Sequence, residues 1–220
     1  MGVKTVLLKN GLTKTIVIGV YRKILKLRRD YNLITTKPNY NNKIFCIGYQ
    51  KTGTTTLGRS LKMLGYKHSS FDEEIYLKYY RENRNLDKIL EYTSKFESFD
   101  DMPWLKKDLI PILDETFPGS KFIYLERDEE SWKKSLNTWH YKKFGVYPDI
   151  EQRLHEYRQH KNFVMEYFKD RIGEDLIILN IKDKNGFKKL SSFLGKSAPM
   201  NSFPHFNKTE LVSPQLGKLQ

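Results

Sequence analysis

Residues 44–61 read Ile44-Phe45-Cys46-Ile47-Gly48-Tyr49-Gln50-Lys51-Thr52-Gly53-Thr54-Thr55-Thr56-Leu57-Gly58-Arg59-Ser60-Leu61, and this stretch decides the fold. It opens with a short, continuously apolar run, the pattern of a strand buried on both faces as in a parallel sheet. Gly48 and Gly53 bracket a loop, and Leu57, Leu61 and Leu64 then fall on one stripe of a helix predicted over 54–64. A strand, a loop and a helix in that order aim backbone N–H groups and the positive end of a helix dipole at one spot beyond the strand. The glycines permit close approach of the backbone to a ligand. Lys51 adds a mobile cation, and Thr52, Thr54, Thr55 and Thr56 add hydroxyl donors. Each of these features suits a phosphate-like dianion.

Outward from this stretch, similar apolar runs recur at 121–125 (KFIYL) and 175–179 (DLIIL), with a weaker one at 96–99. Helical periodicity fills the intervals. It is clearest over 149–172, where Ile150, Leu154, Tyr157, Phe163, Val164, Phe168 and Ile172 gather near one face, and shorter at 129–143 and 186–194. Strands alternating with helices predict an α/β fold, a three-layer α/β/α sandwich around a parallel sheet of about four to five strands, like that of P-loop NTPases. The turn-rich KPNYNN at 37–42 separates a basic N-terminal arm and linker (1–38) from a domain over 39–212, with a tail at 213–220.

The chain of 220 residues carries 39 Lys and Arg against 26 Asp and Glu, a formal charge of +13. Residues 1–34 hold eight of the basic residues against Asp30 alone, so the excess is concentrated in the arm. Such a surface attracts nucleotides, acidic glycans, lipid headgroups or nucleic acid. Hydrophobic residues at 39% exclude wholesale disorder, and no apolar run approaches the roughly 20 residues that span a bilayer. The apolar stretch Ile16 to Val20 is too short for a cleavable signal peptide. A single cysteine, Cys46, forms no internal disulfide and fits a reducing, cytoplasmic setting. The arm reads as a helix packing on the domain, with peripheral contact to anionic lipid as the alternative.

The loop departs from the nucleotide-triphosphate pattern G-x-x-x-x-G-K-[ST]. The glycine spacing is right, but Thr54 stands where the lysine belongs and the lysine sits inside the loop as Lys51. Residues 49–55 (YQKTGTT) resemble instead the 5′-phosphosulfate loop of the P-loop sulfotransferases, which use 3′-phosphoadenosine 5′-phosphosulfate (PAPS). Residues 121–136 (KFIYLERDEESWKKSL) resemble that family's second element, a strand ending in arginine with a serine eight residues on. The DEESW at 128–132 is similar to the Arg-Asp-x-x-Ser-Trp version of one branch, and the likeness runs over roughly 44–208. The resemblance implies a sulfotransferase that binds PAPS and releases PAP without requiring a metal. Gln50, Lys51, Thr52, Gly53, Thr54, Thr55 and Thr56 would hold the 5′ end, and Arg127 with Ser135 the 3′-phosphate. Lys208, in a late segment, would meet the 3′-phosphate too, and Phe206 or Trp132 would stack on adenine. Arg127 read by itself is equally a surface partner of Asp128 or Glu126.

Sulfuryl transfer builds negative charge on the bridging oxygen of the donor, which assigns Lys51 the role of stabilising or protonating that oxygen. For the base that activates the acceptor, Asp101 ranks first because it follows a predicted strand where the resembling branch keeps an Asp-x-Pro element; Asp100 is its substitute. Glu73 ranks second, near the position of a glutamate in glycan-modifying members, and His68 third, as a group that titrates near neutral pH. Asp72, Glu73 and Glu74 read equally well as a helix start. Acceptors suited to a basic, aromatic-rich wall (Trp104, Trp139, His140, Tyr141, Tyr147) are glycans, lipids or small molecules, with nucleic acid disfavoured. The competing readings are a small nucleotide kinase, against which the displaced lysine and the lack of a Walker-B strand argue, and a non-catalytic basic module for membranes or nucleic acid.

Overall fold

The computed structural model describes residues 29–204 together with Val20, Lys23, Ile24, Lys26 and Leu27. The chain divides into two compact units, Met1–Asn39 and Tyr40–Gln220. In the first, the described positions between 20 and 35 are helical. Val20, Ile24, Leu27, Tyr31 and Ile34 recur at helical spacing and are exposed.

The second unit is built on a five-stranded sheet of β1 (Ile44–Cys46), β2 (His68–Ser69), β3 (Ser98–Phe99), β4 (Lys121–Leu125) and β5 (Leu176–Leu179). The order is β2-β3-β1-β4-β5 and every pairing is parallel. Parallel neighbours require crossovers, and the helices supply them. These are α1 (Thr54–Met63), a π-helix (Glu74–Glu82), α2 (Leu86–Ser94), α3 (Ile110–Thr116), α4 (Glu129–Phe144), α5 (Ile150–Tyr167) and α6 (Gly186–Phe193).

The central strands are covered on both faces, which is why they read as unbroken apolar runs. On one face Ile44, Cys46, Ile123, Leu125 and Leu179 pack against Leu57 and Leu61 of α1 and Phe187 and Leu190 of α6. On the other, Phe45 meets Phe99, Phe117 and Phe122, Phe122 meets Phe168, and Tyr124 faces His160 of α5. This is the three-layer α/β/α arrangement expected. Lys43, the residue before β1, is buried and donates through Nζ to the carbonyls of Ser94 and Phe96. Desolvation brings its ammonium pKa down to about 8.

Several elements differ from the periodicity. The helix expected over 149–172 ends at Tyr167, and a 3-10 turn (Lys169–Arg171) follows it. The weak run at 96–99 yields only the two residues of β3. β2, α2 and α3 were not expected at all. Trp104, proposed for an acceptor wall, is fully buried against Phe99 and Tyr92 with Nε1 donating to Thr93, so it is core. No helix among the described residues is long and apolar enough to cross a membrane.

Candidate active site

β1 runs into the loop at the carboxyl end of the sheet, the edge where open α/β sheets hold ligands. Gly48 is required there: a Cβ would stand 2.6 Å from the backbone nitrogen of Leu125, so only glycine lets this turn lie against β4. Lys51 follows at φ +69° and Gly53 at φ +120°. The left-handed region costs a lysine on the order of 1 kcal/mol, so its surroundings must hold it there. They do so through the loop carbonyls. Thr52 Oγ1 donates to Tyr49 O at 2.6 Å, Trp132 Nε1 to Gln50 O at 2.9 Å and Arg127 Nη1 to Lys51 O at 2.7 Å. His160 Nε2 lies 2.7 Å from Ile47 O, and burial holds this imidazole neutral, with a pKa of about 4. With its carbonyls tied back, the loop turns toward α1, whose N-terminus has no side-chain cap and no acidic residue in its first turn. Such a terminus carries roughly half a positive charge and unpaired amide donors.

The threonines divide. Thr54 and Thr55 occupy the first turn, half-buried and exposed respectively. Thr52 is wholly buried and spends its hydroxyl hydrogen on the loop, so it shapes the loop rather than offering a donor. Thr56 is buried as well.

β4 delivers the second element. Arg127 follows that strand, and Asp128 caps α4 by accepting from the Ser131 amide at 2.8 Å. Ser131 Oγ donates to Asp128 Oδ2 and receives Arg127 Nε at 2.9 Å. Neither neighbouring carboxylate takes the guanidinium: Glu126 pairs with Lys161, while Asp128 serves Ser131 and Lys182. Arg127 is thus committed to the loop, not to a surface ion pair. Ser135, half-buried, lies one turn past Ser131 on the same helix face. Trp132 is fully buried, stacked on Tyr157 at 4.7 Å with its N–H on Gln50, so it has no free face for a base. Lys208 and Phe206 lie outside the described residues.

The four carboxylate and histidine candidates separate clearly. Asp101 is half-buried at φ +68°, the second candidate residue held in the left-handed region. Burial, and then the charge of Asp100, raise its carboxyl above the ordinary range, opposed by Lys51 and Lys143. Of the proposed carboxylates only Asp101 acts on Lys51, whose ammonium is lowered first by desolvation and then by Arg127. Asp100 is buried, accepts Ser70 Oγ, and lies 3.6 Å from His68 Nε2. His68 is buried too, its Nδ1 against Ser98 at 2.9 Å and its Nε2 without a hydrogen-bond partner. Gly58 of α1 closes over this pair; a Cβ there would stand 2.5 Å from His68 Nε2 and 2.8 Å from Asp100 Oδ2. Glu73 is exposed at the start of the π-helix, whose first turn is capped by Asp72 accepting from Ile75 at 3.1 Å. The structure therefore ties the Lys51 loop to Arg127 and brings Asp101 close enough for its charge to act on Lys51, while His68 is enclosed with Asp100 under Gly58 and Glu73 is exposed at the start of the π-helix.

Tyr49, Trp132, Tyr157 and His160, which hold the loop and Arg127 in place, were not legible as a scaffold. Their aromatic contacts run at 4.7–6.2 Å between distant segments, and only Tyr49, inside YQKTGTT, and Trp132, inside DEESW, carried a local signal. Trp139 was named only as wall; it lies 5.2 Å from Lys51 Nζ.

Comparison with known proteins gives a match to the sulfotransferase domain family model over residues 43–149 and 137–212. No curated protein matches the chain. Among solved structures, a gluconokinase from Sinorhizobium meliloti 1021 is similar over 71% of this chain and 93% of its own, at 15% identity and a TM-score of 0.45.

Proposed function

The chain belongs to the sulfotransferase family, and on that premise we propose that it transfers a sulfuryl group from PAPS to a hydroxyl or amine of a carbohydrate or glycolipid acceptor. Within the family we place it in the branch with a KTGTT loop and an RDxxSW 3′-phosphate element, on residues 51–55 and 127–132. The observation that carries this reading is the 2.7 Å hydrogen bond from Arg127 Nη1 to Lys51 O. It ties the loop after β1 to the residue that follows the adjacent strand β4, which supports the reading that one nucleotide bridges the two.

The donor set fits a doubly phosphorylated nucleotide. Lys51 and Arg127 are two half-buried cations, both lowered by desolvation, and the charge of Arg127 lowers the Lys51 ammonium further; no described carboxylate forms a salt bridge with either. A ligand dianion relieves that repulsion. The α1 amides, Thr54, Thr55 and Lys51 would take the 5′ end, and Arg127 with Ser135 the 3′-phosphate. When bound, PAPS supplies the sulfuryl group.

The protein's own part is electrostatic and acid–base. Lys51, at the loop tip, stabilises negative charge developing on a leaving oxygen or gives it a proton, a transfer that its lowered ammonium favours. Asp101, basic enough through burial and Asp100, takes the proton of the acceptor oxygen. We assign the base to Asp101 because its charge acts on Lys51, whereas the His68 side chain is enclosed against Asp100 and Glu73 is exposed at the start of the π-helix. We further propose that the basic arm meets anionic lipid, supported by the exposed stripe Val20, Ile24, Leu27, Tyr31 and Ile34 beside Lys23 and Lys26.

The test is transfer of label from radioactive PAPS to a panel of glycan, glycolipid and phenol acceptors, with Lys51→Ala as control. Transfer abolished by the substitution supports the reading. Transfer at the parental rate by Lys51→Ala overturns it.

A further inference from the structure

α4 ends in an aromatic ledge that the reaction described above does not use. Trp139 sits at its inner edge, with Lys51 Nζ 5.2 Å from the indole centroid. Lys143, one turn on, places its Nζ 5.0 Å from the same ring and 5.1 Å from Phe144. Two ammonium groups thus share one indole, which sets them no more than about 10 Å apart. Phe144, which is exposed, lies edge-on to Trp139 with ring centroids 5.9 Å apart.

Like charges gathered without a counter-ion are costly unless something neutralises them. Among the described residues no carboxylate forms a salt bridge with Lys143; Asp101 is close enough to feel its charge but shares it with Lys51. A cation held on an aromatic face, next to the group assigned as base, is placed to receive an anion carried by the acceptor. The exposed Phe144 ring beside it presents a flat apolar face that suits the C–H face of a sugar.

We propose that Trp139, Lys143 and Phe144 form an acceptor subsite for an acidic carbohydrate, one with a carboxylate or sulfate on or next to the ring whose hydroxyl is modified. This rests on the sulfotransferase reading and narrows its acceptor from sugars in general to anionic ones. Lys143 pairs with the anion, the ledge supports the ring, and the hydroxyl is left facing Asp101 and Lys51. Lys143 is exposed and forms no salt bridge among the described residues, so the melting temperature of each variant, measured alongside, should match the parent.

The experiment measures KM and kcat for labelled transfer to a uronate-containing disaccharide and to its neutral counterpart of the same linkage, using the full chain, Lys143→Gln and Lys143→Arg. PAP affinity is titrated on each protein in parallel. The parent is expected to show a KM for the acidic acceptor about tenfold lower than for the neutral one. Lys143→Gln should erase that preference with kcat little changed, and Lys143→Arg should restore most of it. Equal KM values in the parent, or an equal rise for both acceptors in Lys143→Gln, overturns the subsite. Label entering anionic phospholipid vesicles but neither disaccharide overturns it too. Tight PAP binding together with any of those failures leaves the sulfotransferase reading standing, whereas absence of PAP binding removes both.

Discussion

Replacing Arg127 with lysine separates the two tasks this residue is given. Its guanidinium carries five N–H donors. Nη1 spends one on Lys51 O and Nε spends one on Ser131 Oγ, leaving three for a ligand. Lysine keeps the charge but has no fork, so it cannot brace the loop and grip a phosphate at once. Loss of the brace is worth about 0.5–1.5 kcal/mol, a two- to roughly tenfold weakening of any nucleotide that uses the loop. Loss of a charge-assisted contact to the 3′-phosphate adds about 1.5–3 kcal/mol, or roughly 10- to 150-fold. Isothermal titration with PAP and with 5′-AMP reads the two apart. PAP should lose at least about tenfold more affinity than 5′-AMP in Arg127→Lys, and the melting temperature should fall by only about 2–4 °C per kcal/mol of lost bracing. Equal losses for both nucleotides would reduce Arg127 to a loop brace and refute its role at the 3′-phosphate.

Three further predictions follow from the same geometry. The acid limb of the transfer rate should lie above the usual carboxylate range, because Asp101 must be ionised and its carboxyl is raised by burial and by Asp100; Asp100→Asn should move that limb to lower pH, and an unmoved limb would free Asp101 of this role. On stability, His160 stays neutral in the fold with its pKa lowered from 6.5 to about 4, so acidification charges the unfolded chain first. Stability should be full above about pH 6.5 and decline by up to about 3 kcal/mol as pH falls to about 4, a decline that His160→Gln should flatten in urea melts; parallel curves would contradict it. Finally, sedimentation with phosphatidylcholine vesicles containing phosphatidylserine should capture the chain in a salt-sensitive way and lose it on Ile24→Glu with Leu27→Glu, while equal capture by neutral vesicles would count against the basic arm.

The parts legible in the sequence are those with local signatures. β1, the loop and α1 form one continuous stretch whose glycines and apolar run have a single geometric reading, and β4 with α4 is fixed by Arg127, the capping Asp128 and the helix behind it. The buried sheet follows from runs such as KFIYL, since a strand covered on both faces has no polar alternation. What escaped notice lacks such signatures. β2 and β3 are two residues each, too short to show any period. The π-helix over Glu74–Glu82 follows an i to i+5 pattern that no 3.6-residue stripe can reveal. Trp104 and Trp132 were read for their stacking chemistry, yet both are core, because an indole buries more apolar area than almost any other side chain. The left-handed backbone at Lys51 and Asp101, shared among the described non-glycine residues only with Asn42 and Arg84, is a further mark of these positions, and no residue type announces it in advance.

The central claim is that one nucleotide phosphorylated at both its 5′ and 3′ positions is held between the loop at Lys51 and the pair Arg127 and Ser135. Calorimetric titration of the full chain with PAP and with ATP, each in the presence and absence of magnesium, addresses it most directly. The account predicts micromolar or tighter PAP binding that magnesium does not alter, with ATP much weaker. Magnesium-dependent ATP binding, with PAP no better than 5′-AMP, would contradict it and turn the loop back into that of a phosphotransferase.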